Sequence, residues 1–230
     1  MAQTALIVGA SRGLGLAMSV KLVTRGWHVI GTVRDGARTG LHDLAEASEG
    51  WVEIEILDIN APEQIAALRD RLSGRTIDIL FVNAGTATHD PHVYIGEVAT
   101  DEFVRVMVTN ALSPMRVIEA LQHLVPAGGL IGAMSSGQGS ITNNETGMRE
   151  VYRGSKAALN MFMRSFAARQ YATERAMLLM APGWIRTELG GPDAPYTIEE
   201  SVPILVDLLV SQLGTSGLHY LDRFGQTVPW

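Results

Sequence analysis

The sequence predicts an α/β fold, a single domain in which a parallel sheet is doubly wound by helices. Three observations predict it. Short apolar stretches rich in β-branched residues alternate with longer helical patterns from one end to the other. A glycine-rich turn, Gly9-Ala-Ser11-Arg12-Gly13-Leu14-Gly15, joins the first strand-like stretch to the first helical one. The chain has 230 residues with no internal repeat, low-complexity tract or linker, so residues 1–230 read as one domain with a substantial core.

Taken in order, strand Thr4–Gly9 is an apolar run ending in glycine, and helix Leu14–Arg25 starts where the glycines stop. Strand Trp27–Val33, helix Leu41–Ala47 and strand Val52–Asp58 follow. Pro62 suits the first position of helix Pro62–Leu72, where its missing N–H costs nothing. Strand Ile77–Asn83 precedes helix Asp101–Leu124, for which Thr100 is the predicted cap over Asp101 and Glu102. Then come strand Gly129–Ser135, helix Tyr152–Thr173 and strand Ala176–Ala181. Thr197, followed by Glu199 and Glu200, opens helix Ile198–Gln212, and strand Gly217–Leu221 ends the series. Such alternation predicts about seven parallel strands joined by right-handed crossovers, with helices on both faces. Ligands bind such sheets beyond the carboxyl ends of the strands, so the chemistry is expected there.

Composition narrows the function. A net charge of −6 argues against a nucleic-acid partner. The absence of cysteine excludes disulfides, thiolate catalysis and Cys-ligated zinc. No basic leader precedes Ala5-Leu-Ile, and no apolar run reaches the ~18 residues of a membrane helix, so a soluble, cytoplasmic protein is expected. The pair His89 and His92 lacks further obvious ligands and flanks Pro91, so no metal site is expected.

Tyr152 and Lys156 say most about chemistry. Four residues apart on a helix, they share one face. A nearby ammonium favours phenolate and draws the phenol toward the neutral range, where a general acid/base works best. Lys21 and Lys156 are the only lysines, and a compact ammonium suits a proton-handling site better than guanidinium.

The remaining signals lie at strand ends. Gly9, Gly13 and Gly15 allow a tight turn and close approach of backbone N–H groups to a pyrophosphate. Past the second strand stands Arg34, where a site for NAD usually has an acid; with Arg12 it suits a 2′-phosphate. NADP(H) is therefore the preferred cofactor, with NAD(H) possible. Asp58, next to Ile59, could accept from an adenine amine or cap a helix. Asn83-Ala84-Gly85 reads as a turn on which a cofactor could lie closely. Ser135 and Ser136 offer a hydroxyl to a substrate oxygen. Pro182, Gly183, Ile185 and Thr187 could fix a carboxamide.

In this order, Gly9-x-x-x-Gly13-x-Gly15, Asn83-Ala-Gly85, Asn110, Ser136, Tyr152-x-x-x-Lys156 and Pro182-Gly183 resemble the short-chain dehydrogenases/reductases over essentially the whole chain. The short length and the run Phe224-Gly-Gln-Thr-Val-Pro-Trp230 are similar to the C-factor-like branch of small carbonyl reductases. The resemblance implies a Rossmann fold and NAD(P)-dependent interconversion of a small carbonyl and its alcohol. Tyr152 would be the acid/base, and Lys156 would lower its pKa and hold the nicotinamide ribose. Ser136, three residues before Gly139, would orient the carbonyl in preference to Ser135. Asn110 would kink its helix and hold a water leading to Lys156. Val8 and Val82 depart from the family's usual threonine and asparagine, and the stretch from Ser136 to Tyr152 is long, with a bulge expected at Asn143-Asn144-Glu145.

Two other classes compete: a catalytically weak NAD(P)-binding sensor or signalling protein, and a methyltransferase that would leave Tyr152 and Lys156 idle. Met161 and Met163 read as packing or as part of a subunit contact. The two longest helices are apolar on more than one face, which predicts a homodimer or homotetramer.

Overall fold

The computed structural model describes residues 2–170, 172–173 and 175–230. Seven strands form one parallel sheet in the order β3-β2-β1-β4-β5-β6-β7. They are β1 (Thr4–Val8), β2 (His28–Val33), β3 (Val52–Ile56), β4 (Ile79–Val82), β5 (Leu130–Met134), β6 (Ala176–Ala181) and β7 (Gly217–Asp222). The helices are α1 (Gly13–Val23), α2 (Gly40–Ala47), α3 (Pro62–Arg71), α4 (Thr100–Met107), α5 (Ser113–Leu121), α6 (Glu150–Arg169) and α7 (Ile198–Ser211).

Strand side chains alternate between the two faces, and the sequence supplies apolar residues for both. Leu6, Val8, Leu80, Ile131 and Leu179 meet Leu68 of α3, Ile118 of α5, and Leu159 and Phe166 of α6. Ala5, Ile7, Val29, Phe81 and Leu178 meet Met18 and Leu22 of α1, Leu41 of α2, and Leu205 and Leu209 of α7. Chain order reverses between β1 and β4, which opens a crevice at their carboxyl ends.

Three helical expectations are corrected. The long helix Asp101–Leu124 is interrupted by a π-helical turn over Val108–Leu112, in which the Ser113 N–H reaches back to the Val108 carbonyl. Pro114 explains the break: it has no N–H for the Asn110 carbonyl, and its ring disfavours an unbroken α-helix there. Thr100 is the first helical residue, and Ala99 occupies the cap. Helix α6 starts at Glu150, ahead of Tyr152, and ends at Arg169; the expected extension to Thr173 crosses Tyr171, outside the described residues. The start of α7 is as expected: Thr197 Oγ1 accepts Glu200 N–H at 3.2 Å, and the Glu200 carboxylate accepts Thr197 N–H at 2.9 Å. Of the two methionines, Met163 is buried in the core and Met161 stays exposed. Among the described residues, no helix is long and apolar enough to cross a membrane.

Candidate active site

The turn after β1 is held from two sides. Thr32 Oγ1 accepts Gly9 N–H at 2.9 Å, and the Asn83 carboxamide donates to the Gly9 carbonyl at 2.9 Å. Gly9 has φ +86°, and a Cβ on it would stand 2.9 Å from Ala84. A Cβ on Gly15 would stand only 2.0 Å from the Gly9 carbonyl oxygen. The glycines are therefore demanded by backbone-to-backbone proximity. Gly13, with φ +57°, opens α1 and has free space beside it. This cradle fits a pyrophosphate.

Around the rest of that crevice the expected residues divide. Arg34 directly follows β2, exposed and without an ion pair among the described residues, whereas Arg38 is occupied by Glu46 and Asp43 at 2.7 and 2.5 Å. Arg12, expected to join Arg34 at a 2′-phosphate, pairs with Glu188 at 2.5 Å in an exposed contact. Asp58 does not cap α3, since Ala61 is the cap and the Asp58 carboxylate accepts Asn60 N–H at 2.9 Å. Ile59 turns its side chain into the core, which leaves only its backbone for a ligand. Beyond β6, Pro182 is buried, Gly183 has φ +88°, Ile185 is buried, and Thr187 Oγ1 accepts Gly190 N–H at 3.0 Å.

The four polar residues assigned to chemistry meet beyond β4 and β5. Asn110, on the π-helical turn, is fully buried; its carboxamide accepts Thr86 N–H and donates to the Thr86 carbonyl, both at 2.8 Å. It also donates to Ser155 on α6 at 2.9 Å. Lys156 Nζ donates to the Met134 carbonyl at 2.9 Å and lies 5.8 Å from the Tyr152 ring centroid. Gly85 sits between these groups: a Cβ on it would be 3.3 Å from Asn110 Oδ1 and 3.5 Å from Lys156 Nζ. Ser136 stands close enough to Tyr152 to act on its phenol, and its Oγ accepts Gln138 N–H at 3.1 Å. Ser135 is committed elsewhere, donating to Asn160 at 2.6 Å in the buried interior.

The electrostatics differ from expectation. Burial pushes the Tyr152 phenol above its ordinary value, opposed by the Ser136 hydroxyl and then by the charge of Arg149. Lys156, expected to lower it, is itself the perturbed group: burial brings its ammonium down to about 8. In a site this dry, loss of hydration acts on both groups more strongly than their mutual attraction.

A family profile described as short chain dehydrogenase matches residues 3–195. The chain belongs to the short-chain dehydrogenase/reductase family. It is an oxidoreductase of that family, and the seven-stranded fold is the family's. A protein from Burkholderia multivorans, described as a short-chain dehydrogenase/reductase and solved with bound NADP, is 64% identical with a TM-score of 0.98, each chain covered completely. A carbonyl reductase from Pseudomonas aeruginosa PAO1 in complex with NADP is 33% identical, TM-score 0.89, again over 100% of both chains. Among curated proteins, the C-signal of Myxococcus xanthus is 32% identical over 67% of this chain and 93% of its own length.

Sequence reasoning missed two groups around Tyr152. Tyr220 on β7 donates to the Ser136 carbonyl at 2.5 Å, and its ring packs on Trp230 with centroids 5.3 Å apart. Arg149 places its guanidinium 5.0 Å from the Tyr152 ring centroid. Only the aromatic character of Tyr220 in an apolar strand could have pointed to the first; nothing in the sequence marks the second.

Proposed function

We propose that the protein is an NADP(H)-dependent carbonyl reductase, or alcohol dehydrogenase in reverse, acting on a small uncharged carbonyl compound. One observation carries this reading: Asn110 and Lys156 flank Gly85, with Tyr152 and Ser136 next to Lys156, on the same side of the sheet as the glycine turn. Gly9, Ser11, Gly13, Leu14 and Gly15 would hold the pyrophosphate, with Asn83, Ala84 and Gly85 flooring the site. Arg34 would hold the 2′-phosphate, since among the described residues its guanidinium has no ion pair and that of Arg38 does. Asp58 and the Ile59 backbone would face the adenine, and Pro182, Gly183, Ile185 and Thr187 the carboxamide. NADPH, when bound, supplies the hydride.

The residues supply the proton and the orientation. Ser136 donates a hydrogen bond to the carbonyl oxygen, which receives the phenolic proton of Tyr152 as the carbon is reduced. Lys156, tied to Met134 by one donor, turns its others to the ribose and to the return path of the proton. Asn110 braces the loop after β4 against α6 and holds a water toward Lys156. NADP bound in the two structural relatives supports the cofactor assignment. The exposed Phe103, Val104, Met161 and Phe162 on α4 and α6 support a homodimer or homotetramer.

The test is a screen of ketones, aldehydes and quinones, followed by nucleotide absorbance with NADPH and NADH in parallel. Carbonyl-dependent NADPH oxidation that Tyr152→Phe abolishes is expected. The C-signal relative favours a second reading, a signalling protein that binds the nucleotide. Tight NADPH binding without turnover of any compound would replace the first reading by that one.

A further inference from the structure

We propose that Arg149 is a positioning residue for Tyr152, a second cation that holds the phenol ring and favours its ionised form. The inference rests on the reading of Tyr152 as acid/base. Its own evidence is geometric. Arg149 is the residue immediately before α6, with φ +62° and ψ +42°, a left-handed conformation that a β-carbon disfavours. Glycine or asparagine is the ordinary choice there. Its positive charge also sits at the amino end of a 20-residue helix, where the helix dipole repels cations. Among the described residues its Nε is buried without a hydrogen-bond partner. Three local costs meet in one residue.

What offsets them is the contact with Tyr152, whose ring centroid lies 5.0 Å from the guanidinium carbon, nearer than the 5.8 Å of Lys156 Nζ. Strained, locally unfavourable residues of this kind gather at functional sites. The cation acts on an electron-rich ring, and a phenolate ring is richer than a phenol ring, so the contact strengthens as Tyr152 gives up its proton. The direction agrees with the downward pull of Arg149 on a phenol that burial holds high.

The other groups facing Tyr152 are few. Lys156 lies on the same helix, and Tyr220 approaches from β7, where an ionised phenol would push Tyr152 further up. Ser136 comes from the loop after β5 as a neutral polar neighbour. Glu150 is turned away to accept Ile95 N–H at 3.0 Å, and Arg153 is turned to the Met148 carbonyl at 2.6 Å.

The experiment compares Arg149→Asn and Arg149→Lys. Asparagine tolerates the left-handed backbone and removes the charge; lysine keeps the charge. The readouts are tyrosinate ultraviolet titration, taken as the difference from Tyr152→Phe, and the pH profile of alcohol oxidation. Losing the cation disfavours phenolate, so the midpoint moves up. For Arg149→Asn an upward shift of roughly half a pH unit is expected, about threefold in activity at a fixed pH on that limb. Melting temperature stays level or rises, and Arg149→Lys restores part of the shift. If Arg149→Asn does not fold, Arg149→Gly carries the same comparison. An unmoved midpoint, or a shift that lysine does not reverse, overturns the proposal. Turnover that survives Tyr152→Phe overturns instead the reading on which it stands.

Discussion

The Asn110 carboxamide closes a two-point clasp on Thr86, taking its N–H and its carbonyl at 2.8 Å each. The same side chain reaches Ser155 on α6 at 2.9 Å. The loop after β4 is thereby fastened to the helix that carries Tyr152 and Lys156. The clasp depends on the π-helical turn, which redirects Asn110 out of the register of α4. Asn110→Ala would leave both Thr86 groups without partners, at a cost of about 2 kcal/mol and a melting temperature several degrees lower. A calorimetric scan showing no change would argue that the clasp is dispensable.

Charge reversal at Arg34 separates the cofactors. Arg34→Glu should weaken NADPH at least about tenfold while leaving NADH little changed, because only the former presents a phosphate to that side chain. Equal losses in direct binding titrations would place the 2′-phosphate elsewhere.

The glycines of the first turn should respond unequally to alanine. Gly15→Ala forces a methyl group to 2.0 Å from the Gly9 carbonyl oxygen and 2.7 Å from Asn83 Nδ2. That parts α1 from the turn, with expected losses of a few kcal/mol in stability and of nucleotide affinity. Gly13→Ala meets no atom and carries only the strain of its positive φ, about 1 kcal/mol. Thermal denaturation of the two variants that gave the reverse order would contradict the geometry.

Lys156 links stability to pH. Its ammonium, near 10.5 when unfolded, is lowered by burial to about 8. Between those values the unfolded chain binds the proton more tightly, so stability rises with pH across roughly pH 8–10. Below pH 8 the whole penalty is present. Lys156→Met should therefore stabilise the protein at neutral pH, by up to about 3 kcal/mol, while abolishing turnover. A lower melting temperature for that variant at pH 7 would show that the bond to Met134 outweighs desolvation.

Removing the Tyr220 hydroxyl should loosen Ser136. Tyr220→Phe keeps the ring against Trp230 and loses the bond to the Ser136 carbonyl, so kcat should fall several-fold with nucleotide affinity unchanged. Combined with Ser136→Ala it should add nothing further to the loss in kcat, and additive losses in that cycle would assign Tyr220 an independent role.

The strands were legible because each is a short apolar run, with period and punctuation that leave few alternatives. The glycine turn, Tyr152 and Lys156 are legible because backbone proximity and helical spacing are written in residue types, whereas Asn110 stands out only through the family resemblance. What escaped depends on partners distant in sequence. The ion pair of Arg12 with Glu188 is one such case. Pro114 was visible, yet its consequence appears only as the wide turn that carries Asn110. The lysine was expected to tune the tyrosine, but spacing reports neighbours and not dryness, and dryness decides both pKa values.

The seven strands all run the same way, so their carboxyl ends form a single rim, and the segments from Thr86, Ile141 and Glu188 onward rise from it. Chemistry and support are thus spatially divorced. Redirecting this catalyst toward bulkier compounds becomes a matter of exchanging those rim segments by grafting, with the barrel-free scaffold beneath retained as a common chassis.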